Sequence, residues 1–376
     1  MQSYEIYLEF ASFFLSFFLL CKNAKKIVSL HSNFIEMQNL LPLFGSTLSD
    51  LQLFCKTHGL PNFNAKQICE WLYKNQVSSI DEMTNLSLKT RELLKQHYEM
   101  GLSSPINTQI SSDGTKKYLL KTCKNGLIET VYMPSAERHT LCISVQVGCK
   151  MGCEFCATGK QGFQHNLTAG EILNQLRSIP ESALMTNIVY MGMGEPFDNL
   201  DEVLKSLEIL TSDWGYAWSP RRINVSTIGL IPEMERFINE SECHLAISLH
   251  SPFDYERQKI MPIQNKYPIS SVIKSLKKHD WSGQRRLSFE YIMFDGINDK
   301  HTHLDELVKL LKGLFCRVNL IKYHSHPKSD FQSSSEQRMV EFRDYLSERG
   351  IICTIRQSRG EDIMAACGLL STMKKT

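Results

Sequence analysis

The 376-residue chain reads as an α/β protein: a partial (β/α) barrel preceded by a small N-terminal helical domain and a β-hairpin linker. Three observations predict this. From Thr140 onward, apolar runs rich in β-branched residues alternate with segments of helical period, the pattern of a parallel sheet covered by helices. Between Asn107 and Met133 the period shortens and turn residues recur. Before that, from about Leu41 to His97, the apolar spacing is helical.

Taken in order, residues 10–21 form one apolar run, followed by Lys22, Lys25 and Lys26. The run is too short for a helix that crosses a bilayer, which needs about 20 apolar residues. A signal peptide would carry positive charge ahead of the run, where only Glu5 and Glu9 stand. Met37 opens a plausible start of its own, so residues 1–36 are expected to be a non-native extension or apolar leader, with a membrane tether as the alternative. No stable membrane partner is expected.

Residues 37–105 make the helical module, with helices starting near Leu48, Asn64 and Ser87. Ile68, Trp71 and Leu72 share one helical face, Trp71 is expected in the core, and Ser87 is a candidate N-cap. Residues 106–139 are the linker, with strands at 108–110, 117–122 and 127–133 separated by Ser112-Asp113-Gly114 and Lys124-Asn125-Gly126 turns.

Residues 140–376 are the main domain. Strands are expected at 141–147, 187–191, 222–226, 245–249, 287–293, 317–321 and 352–355. Helices fall between them at 169–177, 200–210, 231–239, 269–278, 303–312 and 336–348. Such units close only part of a barrel, and chemistry is expected at the C-terminal ends of the strands.

Charge is near balance, 42 Lys and Arg against 40 Asp and Glu, so any nucleic-acid surface must be a local patch. The 12 cysteines lack the regular spacing of a secreted disulfide framework, which points to a reducing compartment. Cys55, Cys69, Cys123, Cys243, Cys316 and Cys353 read as buried structural thiols.

Cys149, Cys153 and Cys156 follow the first barrel strand with three and then two residues between them. Three thiolates so placed can hold three irons of a [4Fe–4S] cube and leave the fourth iron open. Phe155, just before the third cysteine, can limit water access. A structural zinc knuckle completed by Cys142 or His165 is the alternative, but no second ligand couple lies nearby. After the second strand, Gly192 and Gly194 allow close backbone approach to a ligand, and Glu195 offers a carboxylate to an ammonium group.

The cysteine spacing is similar to that of radical S-adenosylmethionine (SAM) enzymes, and the stretch from Gly148 to Gly159 resembles the RlmN/Cfr family of RNA adenine methyltransferases. The resemblance spans about residues 41–370. It implies a radical-SAM barrel, a [4Fe–4S] cluster on Cys149, Cys153 and Cys156, and two SAM molecules per turnover. By the same resemblance Gly194, Glu195, Ser226, Ser248, Leu249, His250 and Asn319 contact SAM. After Asn319 the chain departs from the family pattern, reading Ile321-Lys322-Tyr323-His324.

Two further cysteines resemble the family's reactive pair. Gly360 to Gly368 is similar to the loop carrying a methyl-accepting cysteine, here Cys367, and Leu141 to Cys149 to the strand carrying its partner, here Cys142. The implied route methylates Cys367 from one SAM. A radical made from the second then activates that methyl group, the carbon is joined to the base, and a transient Cys142–Cys367 disulfide releases the product. Glu129 is the implied base for the ring proton, with Cys142 as an alternative. Carbon 2 of adenine lacks a lone pair to attack a methyl group directly, which is why such a route is needed.

The implied partners are 23S rRNA in its peptidyl-transferase region, tRNA at the adenosine 3′ of the anticodon, and an electron donor such as flavodoxin, all in the cytoplasm. In the same family the helical module helps hold RNA. The rival within the family methylates carbon 8 of the same rRNA adenine. Trp218 to Arg222 and Ser248 to Pro252 are shared with that branch, whereas Gly194-Glu195-Pro196 and Arg359-Gly360 resemble the carbon-2 enzymes, which are favoured. A rival of another class is a non-catalytic RNA-binding protein with a structural metal.

Overall fold

The computed structural model describes residues 40–325 and 329–372; the apolar run and the Met37 start lie outside them. Strand β1 (Leu41–Pro42) leads into helices α1 (Leu48–Thr57), α2 (Phe63–Cys69) and α3 (Leu88–His97), and β2 (Tyr98–Glu99) returns parallel to β1. A capping box starts α1: Thr47 Oγ1 accepts from Asp50 N, and the Asp50 carboxylate accepts from Thr47 N. Ser87 caps α3 as expected, accepting from Thr90 N. Trp71 is only half-buried and its indole N–H donates to Asn85 Oδ1 (2.5 Å), while Tyr73 takes the core position.

Strands β3 (Asn107–Ile110), β4 (Lys116–Lys121) and β5 (Leu127–Pro134) are antiparallel. They do not form a detached linker. β5 pairs with β6 (His139–Cys142), so the hairpins extend the barrel sheet itself. The first barrel strand is also split. The carboxamide of Gln175 takes both Ser144 N (2.8 Å) and Ser144 O (2.7 Å) out of the ladder, and the chain resumes as β7 (Gln146–Gly148). β7 pairs antiparallel with β8 (Phe163–Asn166), and between them lie the cysteine triplet and the short helix α4 (Ala157–Gln161).

The rest follows the predicted alternation: α5 (Ala169–Arg177), β9 (Asn187–Tyr190), α6 (Leu200–Thr211), β10 (Ile223–Thr227), α7 (Ile231–Glu240) and β11 (His244–Ser248). Then come α8 (Asp254–Ile260), α9 (Ile269–Leu276), β12 (Leu287–Met293), α10 (His301–Leu311), β13 (Arg317–Lys322), α11 (Glu336–Glu348) and β14 (Ile352–Ile355). One ten-stranded sheet runs in the order β3-β4-β5-β6-β9-β10-β11-β12-β13-β14, parallel from β6 onward. In β10 Ile223, Val225 and Thr227 are buried while Asn224 and Ser226 are less so, which leaves a polar stripe along the strand. Among the described residues no helix is long and apolar enough to cross a membrane.

The helical module docks on the barrel through a close backbone crossing. Gly45 has φ +97°, and a Cβ there would overlap the Gly170 backbone in the first turn of α5. Tyr73 Oη holds the same turn, donating to Ser46 O (2.5 Å) and accepting from Gly45 N (3.2 Å). Gly45→Ala combines a left-handed β-carbon with overpacking, a cost of about 2 kcal/mol or more. The expected result is a thermal midpoint lower by about 2–3 °C or more, read by differential scanning calorimetry.

Candidate active site

One cavity opens where the parallel strands end. Cys149, Cys153 and Cys156 line it, together with Cys142 and Cys367. Gly194, Glu195, Ser226, Ser248 and His250 add its polar wall, so most of the sequence-predicted site converges here. Leu249, Asn319 and Glu129 do not line it. Leu249 is fully buried and acts through its backbone, with N donating to Glu290 O (3.0 Å) and O accepting from Arg257 Nε (3.1 Å). Asn319 is held by Glu290 Oε1 (2.8 Å) and Thr354 Oγ1 (2.8 Å) and lines a neighbouring cavity.

Among the described residues no three His, Cys, Asp or Glu side chains converge on a point that would hold a single metal ion. Of the two fourth ligands weighed for a zinc knuckle, His165 bonds Thr122 Oγ1 (3.1 Å) and does not line the cavity, whereas Cys142 does. The three thiols wall one cavity without meeting at one ion, which fits a larger group bridging them, as an iron–sulfur cube does. Burial pushes the Cys149 thiol up to about 12 and Cys153 well above its ordinary value, so both are neutral thiols until a cationic group displaces their protons. Burial also raises Cys156, whose sulfur accepts backbone hydrogen bonds from Gly159 and Thr158 at the start of α4. Phe155 is buried between His250 (ring centroids 4.9 Å apart) and Phe294 (5.8 Å), the dry wall its position suggests.

Glu195 is buried at the end of β9, and its carboxylate accepts from Thr227 Oγ1 (2.6 Å), Phe197 N (3.0 Å) and Ile228 N (3.1 Å). Burial outweighs these donors and lifts the carboxyl to about 7. A ligand ammonium group would supply the missing countercharge. The glycines beside it serve packing: a Cβ on Gly192 would press on Ile143 O (2.7 Å), and one on Gly194 (φ +100°) on Gln146 Cβ (2.6 Å). The expected close approach is therefore to the neighbouring chain as well as to the cavity.

His250 has φ +55°, and its Nδ1 accepts from Ile292 N (3.0 Å). Burial, then the charge of Arg257, lowers its pKa to about 3, so the ring is neutral with its proton on Nε2. Arg257 is fully buried and, among the described residues, forms no ion pair with a carboxylate, although the charge of Asp254 reaches it. It gathers Ile228 O (2.8 Å), Ser248 O (3.0 Å), Leu249 O (3.1 Å) and Gln264 Oε1 (2.7 Å), tying two strand-end loops together. Burial lowers its pKa to about 10, leaving it cationic at neutral pH.

Cys142 is buried and Cys367 exposed. Burial, then the charge of Cys367, pushes Cys142 up to about 12, and Arg356 opposes the rise. Arg356 is itself paired with Glu290 (3.2 Å) and feels both cysteines. The Cys367 segment is clamped from two sides. Toward α4, Ala157 N donates to Gly368 O (2.7 Å) and Thr158 Oγ1 to Leu370 O (2.6 Å). Toward the hairpins, Ser111 Oγ donates to Asp362 Oδ1 (2.6 Å), Lys117 Nζ to Met364 O (3.3 Å), and Ser371 N to Glu129 Oε2 (3.0 Å). Glu129 also pairs with Lys117 (2.9 Å), so the residue expected as a base sits in the clamp.

Sequence reasoning missed Arg257, Arg356, Glu290 and Gln146, whose side chain accepts from Glu195 N (2.9 Å). An arginine seven residues after His250 carries no visible signal of burial. Of the cysteines expected to be buried, Cys123 is exposed because it sits in the turn after β4, and Cys316 is half-buried.

Residues 143–310 match the Radical SAM superfamily, and residues 39–100 match the Ribosomal RNA large subunit methyltransferase N-terminal domain. The chain is 57% identical over 333 residues to a probable dual-specificity RNA methyltransferase RlmN of Phocaeicola vulgatus, covering 89% of this chain and 95% of the relative. It is 40% identical to a dual-specificity RNA methyltransferase RlmN of Syntrophus aciditrophicus, covering 91% and 98%. The crystal structure of a radical SAM methyltransferase from Sphaerobacter thermophilus superposes with a TM-score of 0.82 at 39% identity, covering 88% and 99%.

Proposed function

Because the chain belongs to the RlmN family of radical SAM RNA methyltransferases, we propose that it methylates carbon 2 of an adenine in the peptidyl-transferase region of 23S rRNA and of the adenosine 3′ of a tRNA anticodon. The observation that carries this reading is the shared cavity: Cys142 and Cys367 face the same space as the cysteine triplet. A SAM-cleaving site alone has no need of that second pair.

Cys149, Cys153 and Cys156 would hold the [4Fe–4S] cluster, which when bound and reduced supplies the electron that splits SAM into methionine and a 5′-deoxyadenosyl radical. Glu195 receives the ammonium group of SAM, and Ser226, Ser248 and His250 Nε2–H orient the rest from the strand ends. Leu249 and Asn319 support these contacts from behind, through Arg257 and Glu290. Two SAM molecules are consumed per turnover. The Cys367 sulfur takes a methyl group from the first and presents it for hydrogen removal with the second. Once the carbon is joined to the base, the adduct's odd electron would be taken back by the oxidised cluster on Cys149, Cys153 and Cys156, and Glu129 takes the ring proton, standing one hydrogen bond from the Cys367 segment. Cys142, on the cavity wall, is the alternative base. The Cys142 thiolate then attacks the Cys367 sulfur. The S–S bond forms, the carbon–sulfur bond breaks with its electron pair left on the carbon, that carbon takes up a proton to become the methyl group, and the methylated base leaves.

Residues 37–105 are assigned to holding RNA, residues 106–139 to bracing the Cys367 segment, and residues 140–376 to catalysis. The reduced thiols and the cluster point to a cytoplasmic site and an electron donor such as flavodoxin. The test is peptide mass spectrometry of the Cys367 segment after anaerobic incubation with SAM and reductant but no RNA. One added methyl group on Cys367 is the expected result. An unmodified Cys367 beside an intact cluster overturns the relay. Chromatography of digested rRNA then separates the carbon-2 product from the carbon-8 isomer.

A further inference from the structure

The opposite end of the barrel interior is crowded with positive charge. Arg138 precedes β6, Arg222 precedes β10, Arg286 precedes β12 and Arg317 opens β13, so sheet order sets four arginines around one opening. With Arg221 they line a single cavity. Among the described residues none of the five pairs with a carboxylate. The carboxylate lining that cavity, Glu290, is already held by Arg356 (3.2 Å) and Asn319 (2.8 Å). His244, at the start of β11, senses the crowding: burial and then the nearby arginines lower its pKa to about 4. In most (β/α) barrels this face serves stability. Five mutually repelling guanidinium groups do not stabilise it.

The arginine cavity adjoins the reaction cavity: Met133, Val189, Glu290, Arg356 and Arg359 line both. At the strand-end side the cluster loop is tied to its neighbours. The cluster loop bonds α8 through Glu154 N to Ile260 O (3.0 Å) and bonds the Cys367 segment through Ala157 N to Gly368 O (2.7 Å). We propose that RNA reaches the reacting cysteines through this arginine-lined mouth, its phosphates held by Arg138, Arg222, Arg286 and Arg317 while the unstacked adenine passes inward. Guanidinium groups suit the task because their planar donors grip phosphate oxygens bidentately. A base must leave its stack to be modified, and backbone contacts on either side of it hold it extruded. In a chain of nearly balanced charge, this is a local patch of the kind an RNA substrate requires.

This inference rests on RNA being the substrate, so its test separates the two claims. A fluorescent tRNA anticodon stem-loop is titrated into holoenzyme and into the Arg222→Gln/Arg286→Gln/Arg317→Gln variant at several salt concentrations. Iron content reports folding. Each lost phosphate contact removes about 0.7 from the slope of log affinity against log salt. The triple variant is therefore expected to lose about 2 from the slope and to bind at least roughly tenfold more weakly. An Arg343→Gln/Arg349→Gln variant, altered on and just after α11, is expected to bind as wild type does. If the triple variant misfolds, the single Arg286→Gln variant is expected to lose about 0.7. Equal affinity and equal slope beside a wild-type protein that binds would overturn the mouth as the RNA path. A wild-type protein that fails to bind at all would overturn the substrate reading, and the path with it.

Discussion

A Cys142→Ala variant is expected to stop after a single round and to remain covalently joined to its RNA through Cys367. The two thiols share one cavity and Cys142 feels the charge of Cys367, which suits Cys142 to the proposed attack on the Cys367 sulfur. Without it the carbon–sulfur bond has no nucleophile to break it, and the methylene bridge persists. Yield of free methylated RNA should fall below one equivalent per protein chain. A slower band combining protein and RNA should appear on a denaturing gel and should survive boiling without reductant. Multiple turnovers by the variant would show that the disulfide step is wrong. Cys142 is buried and its alanine replacement removes only a sulfur, so thermal stability should change little beside the loss of release.

The second large effect is expected from Cys149→Ala. The triplet supplies the three thiols that would hold the cluster in this cavity. Cys142 and Cys367 face the same cavity but are held on β6 and on the clamped C-terminal segment. Anaerobic reconstitution should therefore give a protein without the visible absorbance of a [4Fe–4S] centre, and reductive SAM cleavage should fall to the protein-free level. Methylation of Cys367 should be lost with it. A cluster of full iron content in the variant would mean that a different ligand set holds it.

The barrel was legible because each unit carries its own signal. Runs such as 245–249 and 287–293 are apolar and β-branched, and the helices between them are amphipathic. What lay outside the sequence is pairing between distant segments. Nothing in Leu127 to Pro134 says that it will bond to His139 to Cys142 and so join the hairpins to the barrel. The break in the first strand depends on Gln175, 31 residues beyond Ser144. The cysteines and Glu195 were readable because their chemistry is local in sequence. Arg257 was not, since a charged side chain is ordinarily assigned to the surface and only the fold reveals the carbonyl oxygens that surround it. Asn319 occupies the expected strand, yet Glu290 and Thr354 turn it to a supporting part. The arginine mouth escapes sequence reading for the same reason, because its members open different strands and meet only when the sheet closes.

The clamp on the Cys367 segment has a consequence for the order in which the molecule is made. Its bonds join residues far apart in the chain: Asp362 to Ser111 across 251 positions and Ser371 to Glu129 across 242. A growing chain presents the cysteine triplet, the hairpins and most of the sheet while the last segment is still being synthesised. Until that segment docks, the cavity has one side missing and stands open to whatever delivers iron and sulfide. Cluster assembly can therefore precede closure during synthesis. Insertion into a finished chain meets contacts that only the completed C-terminal segment supplies.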